Sequence, residues 1–271
     1  GLMAPWGSGC GRLCCPDRHA FTRAAGPPLM LLCAALAAFE SHALFSLVLP
    51  ALQGGAKRGF VGALFAASML RAMFDYVRVA FTDPGLPEAG AAAAAAAAGD
   101  GSCVYCSSPK PARCHHCRVC QRCVLKMDHH CMFVNNCIGL RNYSYYCWLL
   151  LDVCVACGVA AAAALTPLRT GATVWIRAHA GAALFVPAVL LFLLGPLLKM
   201  HVQAIMSDET TIELHARLRR TGAEGQGPMK VDYQGVLNLF EVFGVPASCA
   251  GAADRLLRLH GRLKRATKRK R

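Results

Sequence analysis

Charge is scarce in this sequence. Asp, Glu, Lys and Arg make up 16% of its 271 residues, against about 25% in an ordinary soluble domain. With 55% hydrophobic residues, the chain does not read as a soluble enzyme and points to the membrane class. Acidic residues are the scarcer sign: 15 Asp and Glu stand against 29 Lys and Arg, a formal net charge of +14. That excess suits either anionic lipid headgroups or nucleic acid. The long apolar runs need a bilayer, so headgroups are the expected counterpart and nucleic acid is not. No signal peptide is expected. Arg12, Arg18 and Arg23 precede an apolar run too long for a cleaved leader, and Met3 is a candidate initiator.

What is present in abundance is apolar length. Four runs stand out, about Pro27 to Leu52, Gly59 to Phe81, Tyr145 to Leu165 and Ala180 to Met200. Each approaches the ~20 residues that cross a bilayer. From Lys199 to Arg271 the chain holds 14 Lys and Arg against 7 Asp and Glu. The positive-inside rule then places the N-terminus, the 82–144 loop and the tail in the cytosol. A few charges fall inside the runs. Glu40 and His42 lie midway along the first, and intramembrane charges usually face the bundle interior. Arg71 and Asp75, one turn apart in the second, are expected to pair as structural glue. Asp152 lies near the cytosolic end of the third, within reach of water.

Short marks punctuate the connections. Asp83-Pro84-Gly85 is expected to end the second helix. Thr210-Thr211-Ile212-Glu213 reads as the start of a further helix. Ala91–Ala98, flanked by Gly90, Gly99 and Gly101, reads as a loose linker. The run Arg262 to Arg271 reads as a solvated basic tail. Cys10, Cys14 and Cys15 read equally as acylation sites or as free thiols.

Eight of the 16 cysteines lie between residues 103 and 137: Cys103, Cys106, Cys114, Cys117, Cys120, Cys123, Cys131 and Cys137. His115, His116, His129 and His130 are interleaved with them. A disulfide framework has no need of histidine, so the cluster reads as metal chemistry in a reducing compartment. Large aliphatics in the stretch are few (Val104, Val119, Val124, Leu125, Val134). That is too little for a core, and bound metal would replace it. Thiolates two residues apart can bite one tetrahedral Zn²⁺, completed by a third Cys and a His. Two such sites need eight ligands, and twelve Cys and His are available. Asp128-His129-His130-Cys131 admits two readings on spacing alone. In one, Cys131 is a further ligand. In the other it is a nucleophile, with His129 as its base and Asp128 orienting the base.

At these residues the chain resembles the DHHC family of protein S-acyltransferases (palmitoyltransferases). The pattern Cys-x2-Cys-x9-His-Cys-x2-Cys-x2-Cys-x4-Asp-His-His-Cys-x5-Cys runs from Cys103 to Cys137, and Asn142 and Tyr146 continue it. Asp83-Pro84-Gly85 resembles the family's DPG motif. Thr210, Thr211 and Glu213 resemble its TTxE motif, and Asn238 to Gly244 its C-terminal Asn-containing motif. The likeness covers about residues 29 to 244. It implies Cys131 as the acylated nucleophile, His129 as base and Asp128 as its partner. It implies one structural Zn²⁺ on Cys103, Cys106, His116 and Cys123, and a second on Cys117, Cys120, His130 and Cys137. Cys114 and His115 are left without a role and are expected to be structural or solvated. One departure stands out: Met132-Phe133 replaces the Pro-Trp that commonly follows the family's nucleophile.

The expected fold is an all-α polytopic membrane protein, with four transmembrane helices and a cytosolic zinc-binding cysteine-rich module between spans 2 and 3. The expected organisation is a cytosolic segment at 1–28, spans 1 and 2 at 29–81, the module at 82–144, spans 3 and 4 at 145–200, and a cytosolic region at 201–271. The resemblance implies a palmitoyltransferase that moves a fatty acyl group from acyl-CoA, through Cys131, to cysteines of membrane-associated proteins. The acyl chain would lie in a cavity among the helices. The implied setting is the endomembrane system, Golgi or ER, with the plasma membrane as the other candidate and both termini cytosolic. The competing expectation is a weak or inactive zinc-dependent scaffold, marked by Met132-Phe133.

Overall fold

The structure is a computed structural model and describes residues 20–87, 101–169, 173–221 and 233–244. The linker at Ala91–Ala98, the basic tail, Cys10, Cys14 and Cys15 lie outside the described residues. Among the described residues, seven α-helices and six short strands follow in order: α1 (Ala20–His42), α2 (Leu49–Ala51), α3 (Gly55–Phe81), β1 (Ser102–Cys103), β2 (Ser108–Pro109), β3 (His115–Cys117), β4 (Arg122–Val124), β5 (His129–Cys131), β6 (Asn136–Ile138), α4 (Tyr143–Arg169), α5 (Val174–Met206), α6 (Thr211–Thr221) and α7 (Tyr233–Val242). A π-helical stretch, Ala43–Val48, joins α1 to α2.

Among the described residues, four helical segments are long and apolar enough to cross a membrane: Ala24–Ala51, Gly55–Phe81, Tyr143–Leu168 and Arg177–Met206. Their outward faces carry large apolar side chains such as Phe60, Leu70, Phe81, Phe185 and Phe192, each at least 70% exposed. Lipid is the solvent that tolerates such faces. The inward faces meet in a core of Leu44, Phe65, Ala156, Ala160, Ala164 and Ala183. Small residues let helix backbones approach closely where no hydrophobic effect drives association. The expected Arg71–Asp75 pair forms at 3.1 Å. Asp152 turns towards it rather than to water, 3.7 Å from the Arg71 guanidinium.

Two of these helices outrun the apolar runs seen in the sequence. α1 begins at Ala20, with Pro27 and Pro28 inside it. α5 continues past Met200 to Met206, because its polar last turns are buried against the cysteine-rich module rather than in water. His201 is 1% exposed there.

The module consists of three antiparallel hairpins, β1–β2, β3–β4 and β5–β6. The second pairs His115 with Val124, His116 with Cys123 and Cys117 with Arg122. The third pairs His129 with Ile138, His130 with Cys137 and Cys131 with Asn136.

Side-chain amides fasten the third hairpin to the membrane helices. Asn136 Nδ2 donates to the carbonyls of Val79 and Thr82 at the end of α3. Asn142 Nδ2 donates to Cys137 O at 2.9 Å and Val79 O at 3.3 Å, while its Oδ1 accepts from Gly139 N. As expected, Asp83-Pro84-Gly85 ends α3. Asp83 Oδ1 accepts from the N–H groups of Gly85 and Leu86, and Gly85 takes φ +107°, a left-handed conformation that glycine adopts without penalty. The freed backbone then takes up the module: Leu125 N donates to Gly85 O, and Arg141 N to Pro84 O. Gly139 must be glycine, since a β-carbon there would lie 2.7 Å from Pro84 O.

Candidate active site

Each Cys-x2-Cys turn places two thiols on one side of a hairpin, and the two strands of the next hairpin bring one remaining ligand each. Cys103 and Cys106 from the first hairpin meet His116 and Cys123, a cross-strand pair of the second. Cys117 and Cys120, at the tip of that second hairpin, meet His130 and Cys137, a cross-strand pair of the third. In each set all four ligand atoms lie within 4.8 Å of one another. A tetrahedron with zinc–sulfur bonds of about 2.3 Å has edges of about 3.7 Å. Cys123 Sγ and Cys106 Sγ are 3.7 Å apart, and Cys137 Sγ and Cys120 Sγ 3.4 Å. His116 Nδ1 lies 3.2 Å from Cys106 Sγ and 3.7 Å from Cys103 Sγ. These spacings fit two Zn²⁺ ions, each with three thiolates and one imidazole. All twelve described cysteines are free.

Cys114 and His115 stay outside both ligand sets. Cys114 is not solvated: it is 1% exposed and packs with Cys103 and Cys123.

Cys131 is likewise outside both sets. It begins the turn of the third hairpin and packs with Val79, Val134, Ile138, Tyr146 and Leu150, where the module meets α3 and α4. His129 precedes it on the same face of β5, because side chains alternate along a strand. His129 Nδ1 donates to Asp128 Oδ2 at 2.7 Å, which leaves Nε2 for the hydrogen bond with the Cys131 thiol. Asp128 is 1% exposed, and a buried carboxylate must be satisfied. Thr211 does this from the start of α6: its N–H donates to Oδ1 at 2.7 Å, and its hydroxyl lies 2.9 Å from Oδ2 and 3.0 Å from Asp128 O.

The electrostatics follow from these bonds. Burial alone would discharge His129, but its hydrogen bonds with Asp128 and Cys131 outweigh burial and push the imidazole up to about 9. Burial alone would raise the Cys131 thiol. The hydrogen bond with His129, the imidazolium charge and the N–H groups of Val134 and Phe133 outweigh it and hold the thiol below its ordinary value. Burial also works against charge on Asp128, yet its bonds with His129 and Thr211 keep it below the usual carboxylate range. A thiolate–imidazolium pair backed by a carboxylate can act as a nucleophile and then return a proton to a leaving thiol.

The departure at Met132-Phe133 spares this arrangement. The N–H groups that favour the thiolate belong to Phe133 and Val134, so no donor depends on which residue stands at 132. Phe133 contributes through its carbonyl, which accepts from Tyr76 OH of α3 at 2.7 Å. No feature of the site favours the inactive scaffold.

α6 is built to deliver Thr211. Thr210 and Glu213 form a reciprocal cap: Thr210 N donates to Glu213 Oε2 at 2.7 Å, and Glu213 N to Thr210 Oγ1 at 3.3 Å. Arg113 of the module grips the same glutamate at 2.7 Å through both Nε and a terminal nitrogen, and reaches Asp208 at 3.3 Å. Lys126 joins Asp208 at 2.9 Å.

Two features escaped the sequence reading. Thr211 stood out as part of a motif, but its bonds to Asp128 cross 83 positions and leave no local signature. His201 went unnoticed. Its ring lies 5.1 Å from Tyr146 and 6.2 Å from His129, centre to centre, and its Nδ1 is 3.1 Å from Tyr143 OH. A histidine inside a run otherwise long enough to span was the available signal.

A family model described as DHHC palmitoyltransferase matches residues 98–217. Probable protein S-acyltransferase 12 of Arabidopsis thaliana is 30% identical over 204 residues, covering 67% of this chain and 68% of that protein. Palmitoyltransferase ZDHHC15A of Danio rerio is 35% identical over 150 residues, covering 52% of this chain and 44% of that protein. Probable protein S-acyltransferase 16 of Arabidopsis thaliana is 33% identical over 180 residues, covering 58% and 62%.

Proposed function

The chain belongs to the DHHC family of protein S-acyltransferases, and from that premise we propose that it works as a palmitoyltransferase with Cys131 as its acyl carrier. The observation that carries the proposal is the hydrogen-bonded line Thr211–Asp128–His129–Cys131. In the first step the Cys131 thiolate attacks the thioester carbonyl of acyl-CoA. The carbon–sulfur bond to CoA breaks, and His129 gives its proton to the departing thiolate. In the second step His129 takes the proton of a substrate cysteine, whose sulfur attacks the acyl-Cys131 thioester and frees Cys131. One thioester replaces another in each step, so no further energy source is needed.

Asp128 holds the imidazole with Nε2 towards Cys131 and stabilises its charge. Cys103, Cys106, His116 and Cys123 would hold one Zn²⁺, and Cys117, Cys120, His130 and Cys137 the other. When bound, the metals supply structure, because four protein ligands leave no open position for chemistry.

The reading extends to the setting. The four helical spans cross a bilayer of the endomembrane system, Golgi or ER. The 82–144 module, the N-terminal segment and the region from 201 onward face the cytosol, in keeping with the basic excess there. The protein substrates are membrane-associated and present cytosolic cysteines near the bilayer.

Incubation of the membrane-embedded protein with labelled palmitoyl-CoA tests the carrier. Wild type is expected to take up label that hydroxylamine releases, and Cys131→Ser to take up none at unchanged zinc content. Label retained by the Cys131→Ser protein would refute the assignment.

A further inference from the structure

Tyr146 plays no part in the chemistry above. It stands in the first turn of α4, is 4% exposed, and packs in one cluster with Cys131, Val79, Val134, Ile138 and Leu150. Its ring meets the His129 imidazole edge-on at 5.2 Å, and the His201 ring at 5.1 Å, centre to centre. A buried phenol ordinarily finds a hydrogen-bond partner for its hydroxyl. Among the described residues the Tyr146 hydroxyl has none. Nor is its oxygen sealed in, unlike Nε2 of the neighbouring His201, so another molecule can reach it.

The other donors around the site are engaged. Tyr76 OH donates to Phe133 O, Tyr143 OH bonds His201 Nδ1, and the Thr211 hydroxyl lies against Asp128. His129 Nε2 and the N–H groups of Phe133 and Val134 serve the Cys131 sulfur. Attack on a thioester also throws negative charge onto the carbonyl oxygen. A donor held where that charge develops is usually a large part of catalysis in acyl transfer. The sulfur is provided for, and the oxygen is not. Tyr146 carries the buried hydroxyl that remains, on a ring lying against the base.

We propose that Tyr146 is a catalytic residue: its hydroxyl donates a hydrogen bond to the carbonyl oxygen of the acyl group and stabilises the oxyanion. The proposal rests on the reading of Cys131 as acyl carrier. In the first step the Cys131 sulfur bonds the carbonyl carbon and the π pair moves to oxygen. The phenol O–H bonds that oxygen without giving up its proton. The pair returns as the carbon–sulfur bond to CoA breaks, and His129 protonates the departing thiolate. The second step raises the same oxyanion on acyl-Cys131, so one hydroxyl serves both. The donor is held ready in advance, because its ring is fixed against His129 and against His201, itself bonded to Tyr143.

Tyr146→Phe is the test, since it removes one oxygen and keeps the ring. The full-length, membrane-embedded protein is acylated with labelled palmitoyl-CoA over a range of concentrations. Palmitoyl-CoA is then removed and the loss of label to water is followed. Both rate constants are first-order, so neither depends on how much protein is folded. The variant is expected to lower the maximal acylation rate and the hydrolysis rate alike by about tenfold to a hundredfold, from the worth of one ordinary hydrogen bond to that of one oxyanion donor. The half-saturating concentration of palmitoyl-CoA is expected to stay where it is in wild type. A smaller fall in either rate would overturn the proposal, as would a change carried by the half-saturating concentration. Absence of label from a zinc-replete wild type would instead remove the acyl-carrier reading beneath it.

Discussion

The three hairpins of the module repeat one turn with two outcomes. Cys103, Cys117 and Cys131 recur every 14 residues (103, 117, 131) and open the three turns. Three residues later stand Cys106, Cys120 and Val134, followed by Ser107, Gln121 and Asn135. Those last three all take positive φ, at 51°, 54° and 49°. The partner ligands recur at the same interval in two sets, His116 with Cys123 and His130 with Cys137. The third set would fall on Ser144 and Leu151, which lie in α4 and cannot bind zinc. Backbone N–H groups of the turn favour the thiolate in the first hairpin, from Tyr105 and Cys106, and in the third, from Phe133 and Val134. The turn is thus a device for holding a thiolate. With a second thiol and a strand pair opposite, the thiolate is consumed by metal. With Val134 and His129 beside it, the thiolate stays free to react.

The sharpest way to separate the two outcomes is to remove one sulfur of each kind. Cys131→Ser is expected to lower acyl transfer by at least about a thousandfold, the scale of a lost nucleophile, and to leave two zincs per chain by elemental analysis. Cys117→Ser is expected to lose the second zinc together with activity. Full zinc retention by Cys117→Ser would break the comparison.

Next in size is Asp128→Asn. It removes the charge that keeps His129 protonated and is expected to slow acylation roughly a hundredfold or more. The pH dependence reports the same pair. The rate should rise as pH passes the depressed pKa of Cys131 and fall as His129 loses its proton near 9. In the Asn variant the alkaline limb should move to lower pH. A limb that stays in place would show that Asp128 does not sustain the imidazolium.

Val134→Cys tests the comparison from the other side, by restoring a Cys-x2-Cys turn around the nucleophile. Acylation of this variant should become sensitive to added micromolar Zn²⁺ that leaves wild type unaffected. Equal zinc sensitivity would mean that the turn alone does not decide between metal and chemistry. Thr211→Val should have a smaller effect. It removes the hydroxyl from Asp128 but keeps the N–H bond, so a loss of about tenfold in rate is expected, one hydrogen bond to a charged group. Phe133→Trp should change the rate less than about threefold, because Phe133 acts through its carbonyl and its side chain is 53% exposed; a larger change would give the ring itself a role.

Much of this was legible in the residues. The spans were visible because apolar length is a local property. Both ligand sets emerged once the resemblance was drawn, and the 14-residue interval contains them independently. Spacing alone left Cys131 open between ligand and nucleophile; only with the hairpins in view does Val134 stand where a second thiol would be needed. What could not be read was the long-range fastening. Thr211 on Asp128, Asn136 and Asn142 on Val79 O, and Arg113 on Glu213 each join positions more than 50 apart. The fourth apolar run ends at Met200 with His201 unremarked, whereas the helix continues to Met206 with His201 buried.

The second hairpin gives two ligands to each zinc, His116 and Cys123 to one and Cys117 and Cys120 to the other. Whichever ion arrives first has already frozen the strands its neighbour requires, so the second arrives at a smaller loss of chain entropy. Binding of the two ions should therefore be cooperative. A chelator titration would give a steep curve with a Hill slope above one, and catalysis would disappear with the first ion withdrawn.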